Sequence, residues 1–186
     1  RRLLACGSLI LLAGGADAQL RIEITEYAGK QTPVAVVPFG WEGQGGEAPF
    51  DIAAVIAADL NRSGRFRTIP ESDMLQKPET GIEVDFDDWS ILGVEAVIVG
   101  KMTQTDENVY SVQFQAFDVF TREQLVGYRM PSSRGTMRRV AHRAADMIYE
   151  KLTGIPRVFG TQVAYVTATG TPQDTVHTLS GADMDG

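Results

Sequence analysis

The sequence predicts an α/β domain, a mixed sheet with packed helices, followed by a hairpin that begins a second, all-β domain. Three observations carry this. A β-branched run, a helical stripe and an alternating segment succeed one another from residue 32 to residue 70, a β, α, β series. Three strand-like runs then follow with only short turn signals between them, the spacing of an antiparallel meander. A last helical stripe stops at Gly154 and Pro156, and residues 157–186 alternate as strands with no helix among them.

The chain opens with Arg1 and Arg2, an apolar or small run from Leu3 to Gly15, and the triplet Ala16-Asp17-Ala18. A charged n-region, an h-region and an A-x-A site are the layout of a secretory signal peptide, so residues 1–18 are expected to be removed. A membrane anchor needs about 20 apolar residues, and this run ends at Gly14-Gly15 with no positive flank. Leu3-Leu4-Ala5-Cys6 loosely matches a lipid-processing site, but most of the apolar run, Leu9 to Ala13, lies on the wrong side of the cysteine.

Residues 19–186 carry 15 basic against 23 acidic groups, a net charge near −8, and no cysteine. Disulfides, iron-sulfur clusters, thiolate zinc and cysteine nucleophiles are thereby excluded from the processed chain. Nucleic acid is not an expected partner, because that affinity comes largely from Lys and Arg displacing phosphate counterions. Two histidines, His142 and His177, offer little for a metal site, and no cofactor is called for.

In chain order, the run 32–39, TPVAVVPF, reads as a buried strand ending at Pro38 and a Gly-rich loop. Phe50, Ala53, Ala54, Ala57 and Leu60 recur at helical spacing, widened by Ile52, Val55 and Ile56, and Gly64 stops the helix. Residues 65–70 alternate as a strand, and 71–86 are polar and irregular. Residues 85–93 read as one short helix with an acidic first turn, ending at Gly93. The meander is parted at Asp106-Glu107 and Thr121-Arg122. Its middle run puts Tyr110, Val112, Phe114 and Ala116 on one face and Ser111, Gln113 and Gln115 on the other, so one face is packed and the other partly wet. Ser133 to Leu152 places Met137, Val140, Ala141, Ala144, Ile148 and Leu152 on the inner stripe of a surface helix.

Three clusters invite chemistry. Gly43 to Ala48 formally fits the dinucleotide-binding G-x-G-x-x-G/A pattern between a strand and a helix, which makes an exported nucleotide-binding enzyme domain the alternative function. Five residues, Pro38 to Glu42, separate that loop from its strand, and Arg65, Arg67 and Thr68 stand where a ribose-binding acid is needed. A flexible loop accounts for it better. Asp85-Phe86-Asp87-Asp88 suggests calcium, but Trp89 and Ser90 occupy positions an EF-hand loop gives to an oxygen ligand and glycine, and acids at a helix N-terminus explain the cluster. Arg134, Arg138, Arg139, His142 and Arg143 form a basic patch without interleaved aromatics, which reads as a solvated helix face with His142 partly exposed on it.

Taken together, VAVVPF with its Gly-rich loop, DIAAVIAADLNRSGRF, DDWSILGVEAVIVGKM, YSVQFQAFDVFTREQLVG and the closing IYEKLTGIP resemble the N-terminal domain of the TolB family. The resemblance runs from about Leu20 to Pro156, and TQVAYVT with the terminal ADMDG looks like the start of the family's propeller. It implies a division into a signal peptide (1–18), a TolB-like N-terminal α/β domain (19–156) and an incomplete first blade (157–186). It also implies a non-enzymatic periplasmic adaptor of the Tol-Pal envelope system, without direct membrane insertion after signal cleavage. In such an adaptor the mature N-terminus reaches inner-membrane TolA and the propeller binds outer-membrane Pal, serving outer-membrane integrity and constriction at cell division. The Pal-binding residues would lie in the propeller and are not assigned here.

Leu20, Ile22 and Ile24 alternate with Arg21, Glu23 and Thr25, the period of an edge strand, and Tyr27 to Lys30 form a hinge before Pro33. Such a strand can pair with another protein's sheet edge. The resemblance makes residues Leu20 to Thr25 the TolA-binding segment.

Overall fold

The computed structural model describes residues 30–156, 159–171 and 174–183. The expected signal peptide and the segment Leu20 to Thr25 lie outside the described residues. Eight strands and three α-helices follow in the order β1 (Thr32–Val36), β2 (Gly40–Glu42), α1 (Ile52–Arg62), β3 (Phe66–Thr68), α2 (Phe86–Ile91), β4 (Ala96–Asp106), β5 (Val109–Asp118), β6 (Gln124–Ser133), α3 (Met137–Thr153), β7 (Gln162–Thr171) and β8 (Asp174–Asp183). The main sheet runs β3-β1-β4-β5-β6, parallel from β3 to β4 and antiparallel from β4 to β6, with β2 also on β4.

β1 lies inside the sheet and is buried on both faces, which is why its sequence is an unbroken apolar run rather than an alternation. Val34 and Val36 pack under α1 and α3, whereas Ala35 and Val37 face α2 and its flanks. The strand expected over 32–39 ends at Val36, and a second short strand follows beyond it. Pro38 has no N–H to give the ladder, and the chain takes four residues from Val36 to Gly40 while β4 advances three, from Ile98 to Lys101. The first three residues of the expected Gly-rich loop therefore form β2. Gly100 makes the crossing possible, since a Cβ there would stand 2.6 Å from the Phe39 ring.

Asp51 caps α1 by accepting from the Ala54 N–H at 2.9 Å. The inner face of α1 is Ile52, Ala53, Ile56, Asp59 and Leu60. The expected stripe was rotated: Ala54 is exposed, and an acid, Asp59, takes a place on the inner face. Each α-helix ends where glycine adopts a left-handed backbone that other residues resist, Gly64 at φ +72°, Gly93 at +70° and Gly154 at +75°.

α3 is preceded by a 3-10 turn, Arg134–Thr136, so the expected start at Ser133 is a capping turn rather than α-helix. Met137, Val140, Ala141, Ala144 and Ile148 are buried as their spacing requires, and Leu152 is partly so. The irregular stretch 71–86 does more than connect. Met74, Val84 and Phe86, with Trp89 of α2, form the second core against Val97, Val99 and Phe117. That cover stops short of the outer strands, where Ser111, Gln113 and Gln115 remain half-exposed, as the alternation of β5 predicts.

Among the described residues β7 and β8 pair only with each other, in register from Gln162 opposite Asp183 to Thr171 opposite Asp174. The expected hairpin is present, and its described side chains are almost all exposed.

Candidate functional site

The two outer strands of the main sheet end differently. β3 has three residues, and α1 covers its outer side: the Thr68 N–H donates to Asn61 Oδ1 at 2.9 Å, while Asn61 Nδ2 donates to the Thr68 hydroxyl at 2.7 Å. β6 has ten residues and, among the described residues, pairs with β5 on one side only. At its far end the Ser133 N–H is taken by the Thr136 hydroxyl at 2.9 Å. Pro131 cannot donate to β5, so it belongs at a position whose main-chain groups face outward. Alternation along an antiparallel strand then turns the main-chain groups of Arg129 and Gly127 to the same open side.

Between this edge and α3 runs a groove of about 920 Å³. The turn before the helix supplies Thr136, and the helix supplies Val140 beside Arg139, Arg143, Met147 and Glu150, which follow one another three or four apart and hence along one flank. The strand supplies Tyr128, Arg129, Met130 and Pro131. Tyr128 stacks at a tilt on the buried Phe114, ring centres 6.3 Å apart, yet is 51% exposed. Arg129 donates to Gln113 Oε1 at 2.8 Å. Arg139 and Arg143 are exposed, and neither forms an ion pair among the described residues.

Asp146 closes the groove at the start of the hairpin. Its carboxylate accepts the Phe159 N–H at 2.6 Å and the Gly160 N–H at 3.0 Å, and the Phe159 ring meets Tyr149 edge-on at 5.3 Å. The segment leading to β7 is thus fastened to α3 by two main-chain hydrogen bonds and a buried aromatic contact.

Behind the groove, α1 and α3 meet through a buried charge cluster. His142 Nδ1 lies 2.6 Å from Asp59 Oδ2, and Arg62 donates to Asp59 Oδ1 at 3.0 Å. His142 is 4% exposed and Asp59 0%, so the expectation of a partly exposed histidine is wrong. The helix face turns it inward beside Ala141 and Ala145, where its partner comes from another helix. The other members of the patch, Arg134, Arg138, Arg139 and Arg143, are exposed as expected. Sequence reasoning missed Asp59, although an acid inside the apolar stripe of α1 is the signal that could have found it. It also missed Asp146.

On the opposite face, Lys101 donates to Glu42 at 2.8 Å and Thr103 to the same carboxylate at 3.0 Å. The hydrogen bond from Lys101, then that from Thr103, hold the Glu42 carboxyl below its usual range, and Glu42 in turn raises Lys101. Glu83 is also lowered, first by the Glu79 N–H and then by the Thr80 hydroxyl.

The other sequence candidates are not brought into a site. In the Gly43–Ala48 loop, a side chain on Gly43 would strike the Trp41 ring at 2.3 Å, so this glycine serves packing. The helix that a pyrophosphate would need begins only at Ile52, with the Asp51 carboxylate already on its first turn. Asp85 caps α2, and Asp87 pairs with Arg122 at 2.6 Å. Among the described residues no group of three or more His, Cys, Asp or Glu could hold a metal ion. No helix of the described residues is long and apolar enough to cross a membrane.

The family described as the TolB amino-terminal domain matches residues 20–125. The Tol-Pal system protein TolB of Thioalkalivibrio sulfidiphilus is 42% identical over 176 residues, covering 95% of this chain and 40% of that protein. The Tol-Pal system protein TolB of Xanthomonas campestris pv. campestris strain B100 is 40% identical over 188 residues, all of this chain and 43% of the relative. The crystal structure of TolB from Acinetobacter baumannii superposes with a TM-score of 0.67 at 29% identity, covering 84% of this chain and 37% of that one. The chain spans about two fifths of the length of the curated relatives it matches. A mixed α/β sheet, a family match across its elements and relatives at 40% identity along its whole length make this chain a member of the TolB family.

Proposed function

We propose that the chain serves the Tol-Pal system of the bacterial envelope as a periplasmic adaptor that binds and does not catalyse. The observation that carries this reading is the family match beginning at residue 20 together with relatives that bear the Tol-Pal name over the whole chain. In this reading residues 1–18 direct export, 19–156 form the α/β domain, and 157–186 begin a propeller. Leu20 to Thr25 are the contact for TolA: their alternation suits a strand that leaves its own domain and adds to a partner's sheet, with main-chain hydrogen bonds giving affinity and alternate side chains giving specificity. Pal is engaged by propeller strands beyond those described.

The test is an NMR titration of the labelled processed chain, residues 19–186, with the C-terminal domain of TolA, repeated on a chain lacking residues 19–26. Binding that disappears with the deletion is expected, with shifts centred on Leu20 to Thr25. Equal binding by both chains overturns the assignment of the contact. A rise in melting temperature on adding NAD would instead favour the enzyme alternative, because a ligand that binds only the native state must stabilise it.

A further inference from the structure

We propose that the groove between β6 and α3 is a docking site for an acidic, extended segment of a partner protein, which joins the main sheet as a strand beyond β6. The groove is built from residues of β6 and α3 and uses none of Leu20 to Thr25, so the inference goes beyond the contact proposed for TolA.

Shape is the first argument. An exposed strand edge is a template for another chain, and folded proteins usually blunt it. The β3 edge is blunted by Asn61, whereas among the described residues β6 has Pro131 and the arginine at 129 for protection and no strand pairs with its outer side at Gly127 and Arg129. From Thr136 to Glu150 the α3 wall rises about 21 Å at 1.5 Å per residue, which an extended segment of about six residues matches.

Charge is the second argument. The chain carries a net −7, yet three arginines, at 129, 139 and 143, line this one groove. Of the two acids in it, Asp146 is occupied by the main chain of 159 and 160, and Glu150 stands one full turn beyond. Arg129 lies on the solvent face of the sheet with Gln113, while Arg139 and Arg143 rise from the helix, so carboxylates on both faces of an added strand meet guanidinium groups. Apolar side chains between them would rest on Met130, Val140 and Met147.

A peptide fits better than an anionic lipid surface. The open main-chain groups of β6 need N–H and C=O partners in register, which a phosphate headgroup does not supply. The arginines also line a groove and do not form a flat patch flanked by apolar anchors.

The experiment uses the processed chain and a fluorescein-labelled octapeptide alternating Glu and Val, with a Lys and Val octapeptide as control. Binding by anisotropy is expected for the acidic peptide alone, weakened about tenfold by the double variant R139E/R143E, as two exposed charge-assisted contacts would give. Hydrogen exchange on the unaltered chain is expected to slow at the amides of Gly127 and Arg129 when that peptide is present. Equal binding of both peptides, or binding without slowed exchange at those amides, overturns the proposal. So does tighter binding by a chain lacking residues 19–26, which would make the chain's own terminus the occupant. Capture by phosphatidylglycerol vesicles with the same arginine dependence, where the peptide fails to bind, overturns it in favour of a lipid surface.

Discussion

The two halves of the main sheet follow different rules. In the parallel half, β1 and the first half of β4 are covered on both sides, by α1 and α3 on one face and by Trp89 and the 71–86 segment on the other, while β3 buries Phe66 and exposes Arg67. In the antiparallel half, β5 and β6 are packed against α3 on one face only, with Gln113 and Gln115 turned toward solvent. The first half holds the fold together. The second displays an edge, a groove and a charged surface, features a protein that works by binding can use without disturbing its core.

Substitutions should separate the halves. Trp89→Ala removes a fully buried side chain from the parallel half and is expected to cost about 4 kcal/mol in urea unfolding. Its counterpart on the outer face, Gln113→Ala, should stay within about 0.5 kcal/mol. Similar losses at both positions would erase the distinction. Because Trp89 Nε1 is buried without a hydrogen-bond partner among the described residues, Trp89→Phe should lose packing volume but no hydrogen bond seen there, and fall well short of the alanine change.

Next in size comes the charge cluster between α1 and α3. Asp59→Ala takes the carboxylate away from buried His142 and should cost about 3 kcal/mol, the scale of breaking one side of a buried pair. Thermal unfolding of Asp59→Ala beside the exposed-site variant Arg138→Ala checks this. A loss no greater than that of the surface change would mean the cluster contributes nothing to holding the helices together.

The smallest effect belongs to the solvent face. Glu42 is lowered in the fold, so its contribution is present above its unfolded pKa and fades as pH falls through the folded value. Lys101 is raised, so its contribution is present below its unfolded pKa and fades as pH rises through the folded value. The pair therefore supports the fold across neutral pH and weakens toward both extremes. Subtracting the stability profile of Lys101→Met from that of the parent should give a shallow plateau that falls at acid and alkaline pH. A slope across neutral pH would contradict the assignment.

Local patterns were legible where neighbours in the chain decide the outcome. The three helix ends, the turns after β4 and β5, the alternation of β5 and the terminal hairpin follow from nearby residues whose backbone preferences and periodicity act over a few positions. The first strand was misjudged because a proline breaks a ladder without breaking an extended chain, and only β4 alongside allows pairing to resume at Gly40. The basic patch was read correctly at its arginines and wrongly at His142. Helical spacing places a residue on a face, but the element opposite decides whether that face meets water.

By itself, the sequence determined where the three helices stop, the turns of the antiparallel meander, the family and the expectation that Leu20 to Thr25 form a strand. Those follow from side-chain periodicity, from the backbone limits of glycine and proline, and from the wording of local blocks. The tertiary structure alone decided that Asp59 meets His142 across 83 positions of chain, that an irregular segment seals the second core, and that, among the described residues, α1 closes β3 while nothing pairs with the outer side of β6. These depend on which surfaces are brought together when residues far apart in the chain pack. Burial, pairing and exposure are properties of that packing, and no short window of residues contains them.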